Sequence, residues 1–202
     1  PELLLNLNSD VETIKYNEYC DIITIDSKVM SWFSKLKGDR RTFYPGSTLV
    51  EDLVSNNECR YNFVIVGPHV GSLDPFKPHS IYNIELPYTN DLELLKCHVQ
   101  ECLTQYKQDR VSERLGVEIF LICLGPKKQE MIANMILEVL GPKRIICCGG
   151  AVDFLVGKER RAPRWARQCG LEWVFRIAQN PKRIPRLKNT ILGLFYYVLA
   201  VK

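Results

Sequence analysis

The chain has 202 residues, of which 46% are hydrophobic, 25% charged and 10% aromatic. These proportions exclude wholesale disorder, a collagen-like repeat and a small disulfide scaffold, and the length suits one domain, with a sizeable core and room for an appendage. The formal charge of +4 hides an asymmetry: residues 1–157 carry 16 Lys/Arg against 21 Asp/Glu, a net −5, whereas residues 158–202 carry 11 against 2, a net +9. A strongly basic tail on a mildly acidic body points to an anionic partner, whether nucleotide, nucleic acid or membrane surface.

In chain order, Leu3–Leu5, Ile22–Ile25, Phe63–Val66, Ile119–Leu124 and Ile145–Cys148 predict short strands, most of them followed by Gly or Asp. Gly67–Pro87 holds four prolines and two glycines and is expected to be a loop or irregular connection. Asp91–Tyr106 predicts a helix with Leu92, Leu95, Val99, Cys102, Leu103 and Tyr106 on one face, capped by Asn90 with Glu93. A second helix is expected over Lys128–Leu140, with Met131, Ile132, Met135, Ile136 and Val139 inward and Gly141-Pro142 as its stop. Alternation of this kind predicts an α/β fold: a Rossmann-like, mainly parallel sheet with helices on both faces.

After Gly157 the pattern changes. Pro163 suits the first turn of a helix, Gly170 a break or cap, and Pro181 the end of a further helix, with a last segment over Pro185–Val201. We therefore expect an α/β body over residues 1–157, the catalytic domain if the chain is an enzyme, and a basic, Arg/Trp-rich helical C-terminal appendage over 158–202. The longest apolar run, Ile191 to Val201, has 11 residues, against the roughly 20 that a membrane-spanning helix needs. No signal-peptide pattern opens the sequence, and a first residue other than Met suggests a trimmed chain.

The eight cysteines form no CxxC pair, and Cys123, Cys147 and Cys148 lie in apolar runs. Buried free thiols in a reducing cytosol are the economical reading, and no Cys or His pair has the spacing of a zinc site. No P-loop, GxGxxG, GxSxG or DxD is present. Asp91-Leu-Glu93 comes nearest to a paired acidic motif but sits where a helix would be capped, so metal-dependent catalysis is not indicated. Ligands of open α/β sheets bind beyond the carboxyl ends of the strands. That rule selects Asp26-Ser27, Gly67-Pro68, Gly125–Glu130 and Gly149–Asp153, where helix N-termini can hold phosphates.

Particular residues go further. Gly149-Gly-Ala-Val-Asp-Phe-Leu-Val-Gly157, followed by Arg161-Ala-Pro163, Trp165, Gly170-Leu-Glu-Trp173, Arg176 and Pro181-Lys-Arg183, closely resembles the WecG/TagA/CpsF family, the family 26 bacterial glycosyltransferases. Gly125-Pro-Lys-Lys-Gln-Glu130 resembles the family's Gly-x-Pro-Lys-Gln-Glu element, and Tyr44-Pro-Gly-Ser-Thr-Leu-Val50 its Pro-Gly-Thr-Asp-Leu-Val element. The likeness covers about residues 22–188. It departs from the family pattern at Ser27 for Gly, Lys127 for Pro, Thr48 for Asp and Phe43 for an Arg.

The resemblance implies an inverting, metal-independent enzyme that needs no cofactor. Its substrates would be a UDP-sugar donor and a polyprenyl-diphosphate-linked saccharide acceptor. The setting would be the cytoplasmic, inner face of the bacterial membrane, with the basic appendage docking on anionic lipid and completing the site. Such steps serve teichoic acid, capsule and exopolysaccharide synthesis.

Residue by residue, Asp26 matches the general base, although the same carboxylate also suits a helix N-cap for Lys28–Leu36. Gln129 would hydrogen-bond the nucleotide or sugar. Gly149, Gly150 and Ala151 would let the backbone approach the diphosphate, or form only a tight turn. Asp153 either contacts the uridine ribose or caps a helix. Among Arg161, Arg164, Arg176 and Arg183, one or two would balance charge on the UDP leaving group, and the rest are solvated.

Two rival readings stand beside this one. A nucleic-acid-binding module would use the same tail, although the acidic body offers no continuing basic stripe. A non-catalytic family member would bind nucleotide-sugar without turnover.

Overall fold

The computed structural model describes residues 43–56, 58–69, 71–109 and 116–181, together with Lys28, Ser31, Trp32, Lys35, Gly38 and Ile184. The strands expected at Leu3–Leu5 and Ile22–Ile25, the site residues Asp26 and Arg183, and the segment Pro185–Val201 lie outside these residues. Two units divide the chain: Gly46–Glu159, and a second formed by Pro1–Pro45 with Arg160–Lys202.

The first unit opens with helix α1 (Gly46–Ser55). Strand β1 (Tyr61–Gly67) follows, then a short 3-10 turn (Asp74–Phe76) and strand β2 (Ser80–Glu85). Helix α2 (Leu92–Asp109), strand β3 (Val117–Ile122), helix α3 (Lys128–Leu140), strand β4 (Arg144–Cys147) and helix α4 (Ala151–Leu155) complete it. The strands form one sheet in the order β2-β1-β3-β4, every pair parallel. The α/β class with a parallel sheet is thus as the sequence predicts.

Both faces of the central strands are covered, which is why they read as continuous apolar runs. Phe63 and Ile65 of β1 and Ile119 and Leu121 of β3 face one way. They pack with Val50 and Val54 of α1 and with Ala151 and Val152 of α4. Alternation sends Val64, Val66, Phe120 and Ile122 to the opposite face, all fully buried. There Phe120 meets Tyr106 of α2 edge to face, with centroids 5.6 Å apart. Helices α2 and α3 pack against one another. Burying each such side chain contributes about 1.5–3 kcal/mol, so these strand residues anchor the unit.

Polar ties close the margins. The buried His79 ring accepts from the Tyr61 amide at Nδ1 (3.2 Å) and donates from Nε2 to the Val54 carbonyl (3.0 Å), joining β1 to the end of α1. At the start of β3, Glu118 accepts from the Tyr106 hydroxyl and, at 2.6 Å, from Lys143.

Several expectations are corrected. Gly67–Pro87 is not irregular throughout, because it contains strand β2. Its prolines, including Pro78 and Pro87, flank the strand instead of interrupting its ladder, and Ile81 and Ile84 pair with Phe63 and Val66. Helix α2 is capped by Asp91, whose Oδ1 accepts from the amides of Glu93 (3.0 Å) and Leu94 (3.1 Å), and Asn90 is not the cap. Leu92, the first residue of the helix, is exposed and not on the buried face. Cys123 and Leu124 have left the ladder, so β3 ends at Ile122. Pro163 precedes its helix and does not join the first turn. Cys147 is exposed and not buried, since it ends β4, an edge strand among the described residues, whereas Cys148 is buried.

Helices α5 (Arg164–Gln168) and α6 (Glu172–Gln179) belong to the second unit. They pack together, and Gly170 turns between them at φ +68°. The Gln179 amide holds the backbone of Arg160 at both ends, accepting from its N–H (3.1 Å) and donating to its C=O (2.8 Å). Trp165, Trp173 and Val174 stay exposed.

The tightest backbone approach in the sheet is at Gly67. A Cβ there would lie 2.9 Å from the Cβ of Cys123 and 3.1 Å from its carbonyl oxygen. Gly67→Ala is expected to cost about 1–3 kcal/mol in urea denaturation, because the strand ends must separate. Gly125→Ala, where a Cβ meets nothing within 4 Å, should stay within about 0.5 kcal/mol of the parent.

Candidate active site at the carboxyl edge of the sheet

From β1 the chain crosses to β2 on one side, and later places β3 and then β4 on the other. The reversal of direction therefore falls between β1 and β3, and open α/β sheets bind ligands beyond the strand ends at such a point. Gly67 ends β1 at that point and Cys123 follows β3, the two held by the Cys123 amide on the Val66 carbonyl (2.8 Å).

Three connections converge there. After β4, the amides of Cys148 and Gly149 both donate to the Ile122 carbonyl (3.1 and 3.2 Å). Gly149 turns the chain at φ +54°, where a Cβ would be strained. Gly150 and Ala151 then open α4 without a side-chain cap. After β3, the turn Gly125-Pro126-Lys127 leads into α3. A Cβ on Gly149 would sit 3.7 Å from the Leu124 carbonyl, so the β4 turn lies against this connection. Gly46, at the start of α1, lies within a Cβ contact of 3.7 Å from the Cα of Cys148. The sequence elements around Gly46, Gly125–Glu130 and Gly149–Asp153 are thus brought to one edge.

Side chains brace the rim. Lys158 donates to the His69 carbonyl (3.3 Å) and lies 3.7 Å from Asp153 Oδ1, and His69 Nδ1 meets Glu85 Oε1 at 2.7 Å. Lys128 donates to the Thr89 carbonyl and, at 3.4 Å, to Asn90 Oδ1, tying α3 to the connection after β2. Gln129 is half-buried, its amide group donating to Glu130 Oε1 at 2.9 Å. Glu130 itself is buried. Lys127 adopts φ +71° and ψ −46°, a conformation closed to proline.

Of the residues the sequence nominates, Gln129, Gly149, Gly150, Ala151 and Asp153 all lie in the Gly46–Glu159 unit, on the connections that meet at the sheet edge. Asp153 falls within α4 beside Lys158. Arg161, Arg164 and Arg176 belong to the second unit. Arg164 is exposed at the start of α5, and Arg176 pairs with Glu172 at 2.9 Å within α6. Sequence reasoning selected Gly67 and Gly125–Glu130 only as strand-end stretches, gave Gly67 and Glu130 no role of their own, and did not select Lys158. The parts of Gly67 and Lys158 are visible only through what they approach, and Glu130 was legible only as a letter of its motif. Among the described residues, no group of three or more His, Cys, Asp and Glu is placed to hold a metal ion.

The model of the glycosyl transferase WecG/TagA/CpsF family matches residues 1–202. The chain belongs to this family. A WecG/TagA/CpsF protein is a glycosyltransferase, which works on a sugar donor and an acceptor. No helix among the described residues is long and apolar enough to cross a membrane.

Beneath this edge the family member carries two thiols in contact, Cys123 Sγ and Cys148 Sγ, 3.9 Å apart. The hydrogen bond with Cys123, together with burial, pushes the Cys148 thiol well above the usual range. Its contribution to stability is complete below the ordinary thiol pKa and is lost as pH rises through the raised folded value. Cys148→Ala should therefore flatten the alkaline limb of the stability profile. In the native parent, iodoacetamide at neutral pH should label the exposed Cys59, Cys97, Cys147 and Cys169 and spare Cys148, as peptide mass spectrometry would record. Rapid labelling of Cys148 would contradict the burial seen here.

Proposed function

We propose that this glycosyltransferase moves a sugar from a UDP-sugar to a polyprenyl-diphosphate-linked saccharide, with inversion, in the synthesis of a bacterial surface polysaccharide. The observation that carries the reading is the convergence of the Gly149–Ala151 turn, the Gly125–Glu130 connection and the Gly46 end of α1 at the reversal point of a parallel sheet. Backbone N–H groups and a glycine turn at such a place suit a nucleoside diphosphate.

In this reading Asp26 takes the proton of the acceptor hydroxyl as its oxygen attacks the anomeric carbon. The bond from that carbon to the diphosphate breaks, and UDP departs with the electron pair. Gly149, Gly150 and Ala151 admit the diphosphate to the backbone, Gln129 hydrogen-bonds the nucleotide or sugar, and Asp153 meets the ribose. The reaction uses no metal; guanidinium groups drawn from Arg161, Arg164, Arg176 and Arg183 balance the charge on the leaving group. The 158–202 appendage docks on the anionic inner face of the membrane, with exposed Trp165 and Trp173 at the lipid boundary.

A panel of UDP-sugars offered with an undecaprenyl-diphosphate-linked sugar should yield transfer and free UDP with at least one donor. Asp26→Ala is expected to lower turnover by about 100- to 10,000-fold, and full activity in that variant would remove the base assignment. Binding of UDP-sugar without transfer across the whole panel would favour a non-catalytic member. For docking, the double variant Trp165→Ser/Trp173→Ser should sediment less with vesicles containing anionic lipid than the parent does. Equal sedimentation would sink the tryptophan contribution.

A further inference from the structure

Glu130 occupies the first turn of α3 and is 8% exposed. Its two carboxylate oxygens have different surroundings. Oε1 accepts the Gln129 amide at 2.9 Å, whereas Oε2 is fully enclosed and receives no hydrogen bond among the described residues. Buried polar atoms without a partner are rare in native proteins, and each one asks for an explanation. A carboxylate is the least suited of all groups to remain so, because an ionised oxygen is strongly desolvated there.

The place of Glu130 narrows the explanation. Helical side chains lean toward the N-terminus of their helix. The N-terminus of α3 follows β3 after the short connection Cys123–Lys127, so this general tilt is toward the carboxyl edge where the connections converge. The bond to Gln129 adds a second constraint. An ionised carboxylate only accepts, so the Gln129 side chain must present its nitrogen to Glu130, which fixes the orientation of the amide. Gln129 then has one N–H and its carbonyl oxygen left to offer.

We propose that Glu130 is a ligand-binding residue, resting on the function proposed above. Oε2 accepts a hydrogen bond from a hydroxyl or N–H group of the UDP-sugar, and Oε1 holds Gln129 in its binding orientation. The oxygens of the diphosphate carry no hydrogen to donate to a carboxylate, so the partner is the sugar or the uridine.

Glu130→Gln tests this with little change in volume. The new side chain keeps an oxygen for Gln129 but replaces the other with an NH2 group, which meets the ligand's hydrogen with hydrogens of its own. Calorimetric titration of the full chain with UDP and with UDP-sugar is expected to show affinity lower by about tenfold or more. A loss confined to UDP-sugar places the partner on the sugar, and a loss with both ligands places it on the uridine. Glu130→Met, similar in volume and without acceptors, should bind no better than Glu130→Gln. Thermal melts of all three proteins without ligand establish that each is folded. Parent-like affinity for both ligands in a folded Glu130→Gln or Glu130→Met protein overturns the assignment and leaves the proposed function standing. If the parent binds neither ligand, the proposed function itself fails, and this inference with it.

Discussion

Two neighbouring parallel strands whose connections leave in opposite directions must part at their carboxyl ends, and here they part only after coming very close. At the end of β1 there is no space for even one methyl group, because the Cβ and carbonyl of Cys123 occupy it. The closeness lets the chain after β3 keep bonding to β1 beyond the ladder. In turn, the Ile122 carbonyl receives two amides from the start of the β4 connection. The glycine turn at Gly149 and the entry into α4 are registered against the sheet through these bonds.

The rim is held differently. Its ties, Lys158 to the His69 carbonyl and toward Asp153, His69 to Glu85, and Lys128 to the β2 connection, are largely solvent-facing. Interactions of that kind contribute little to global stability. What they supply is positional order among loops that carry no core of their own. The stability resides beneath them, in Phe63, Ile65, Ile119 and Leu121 against α1 and α4, and in Phe120 against α2. A rigid, doubly covered sheet supporting polar connections is the usual division between scaffold and site.

The outline of this scaffold was readable from periodicity. Phe63–Val66 and Ile145–Cys148 fall within or beside observed strands, and Lys128–Leu140 has the observed bounds of its helix. Strand β2 escaped because its six residues alternate weakly between Ile81, Ile84 and polar neighbours, amid prolines that normally mark loops. Its pairing with β1 decides its state, and pairing between distant segments leaves little local trace. The same reason hid Asp91 as a cap. Asn90 and Asp91 are both good caps in isolation, and one residue of helical phase chooses between them. In the candidate site, Gln129 and the glycines at 149 and 150 were given roles from the sequence because short motifs concentrate backbone requirements. Glu130 was not, since a charged residue beside a polar one looks solvated until its burial is known.

The sequence by itself determined the class of the protein: composition and periodicity marked a parallel α/β body with a basic tail, and the resemblance of particular residues from 125 to 183 marked the family. These are local or additive properties, set by residue type and short-range order. Only the tertiary structure decided which residues share an edge, that Gly67 must be glycine because of Cys123, and that one oxygen of Glu130 is enclosed without a partner. Those facts depend on segments tens of residues apart meeting within a few ångströms, and no window along the chain contains both sides of such a contact.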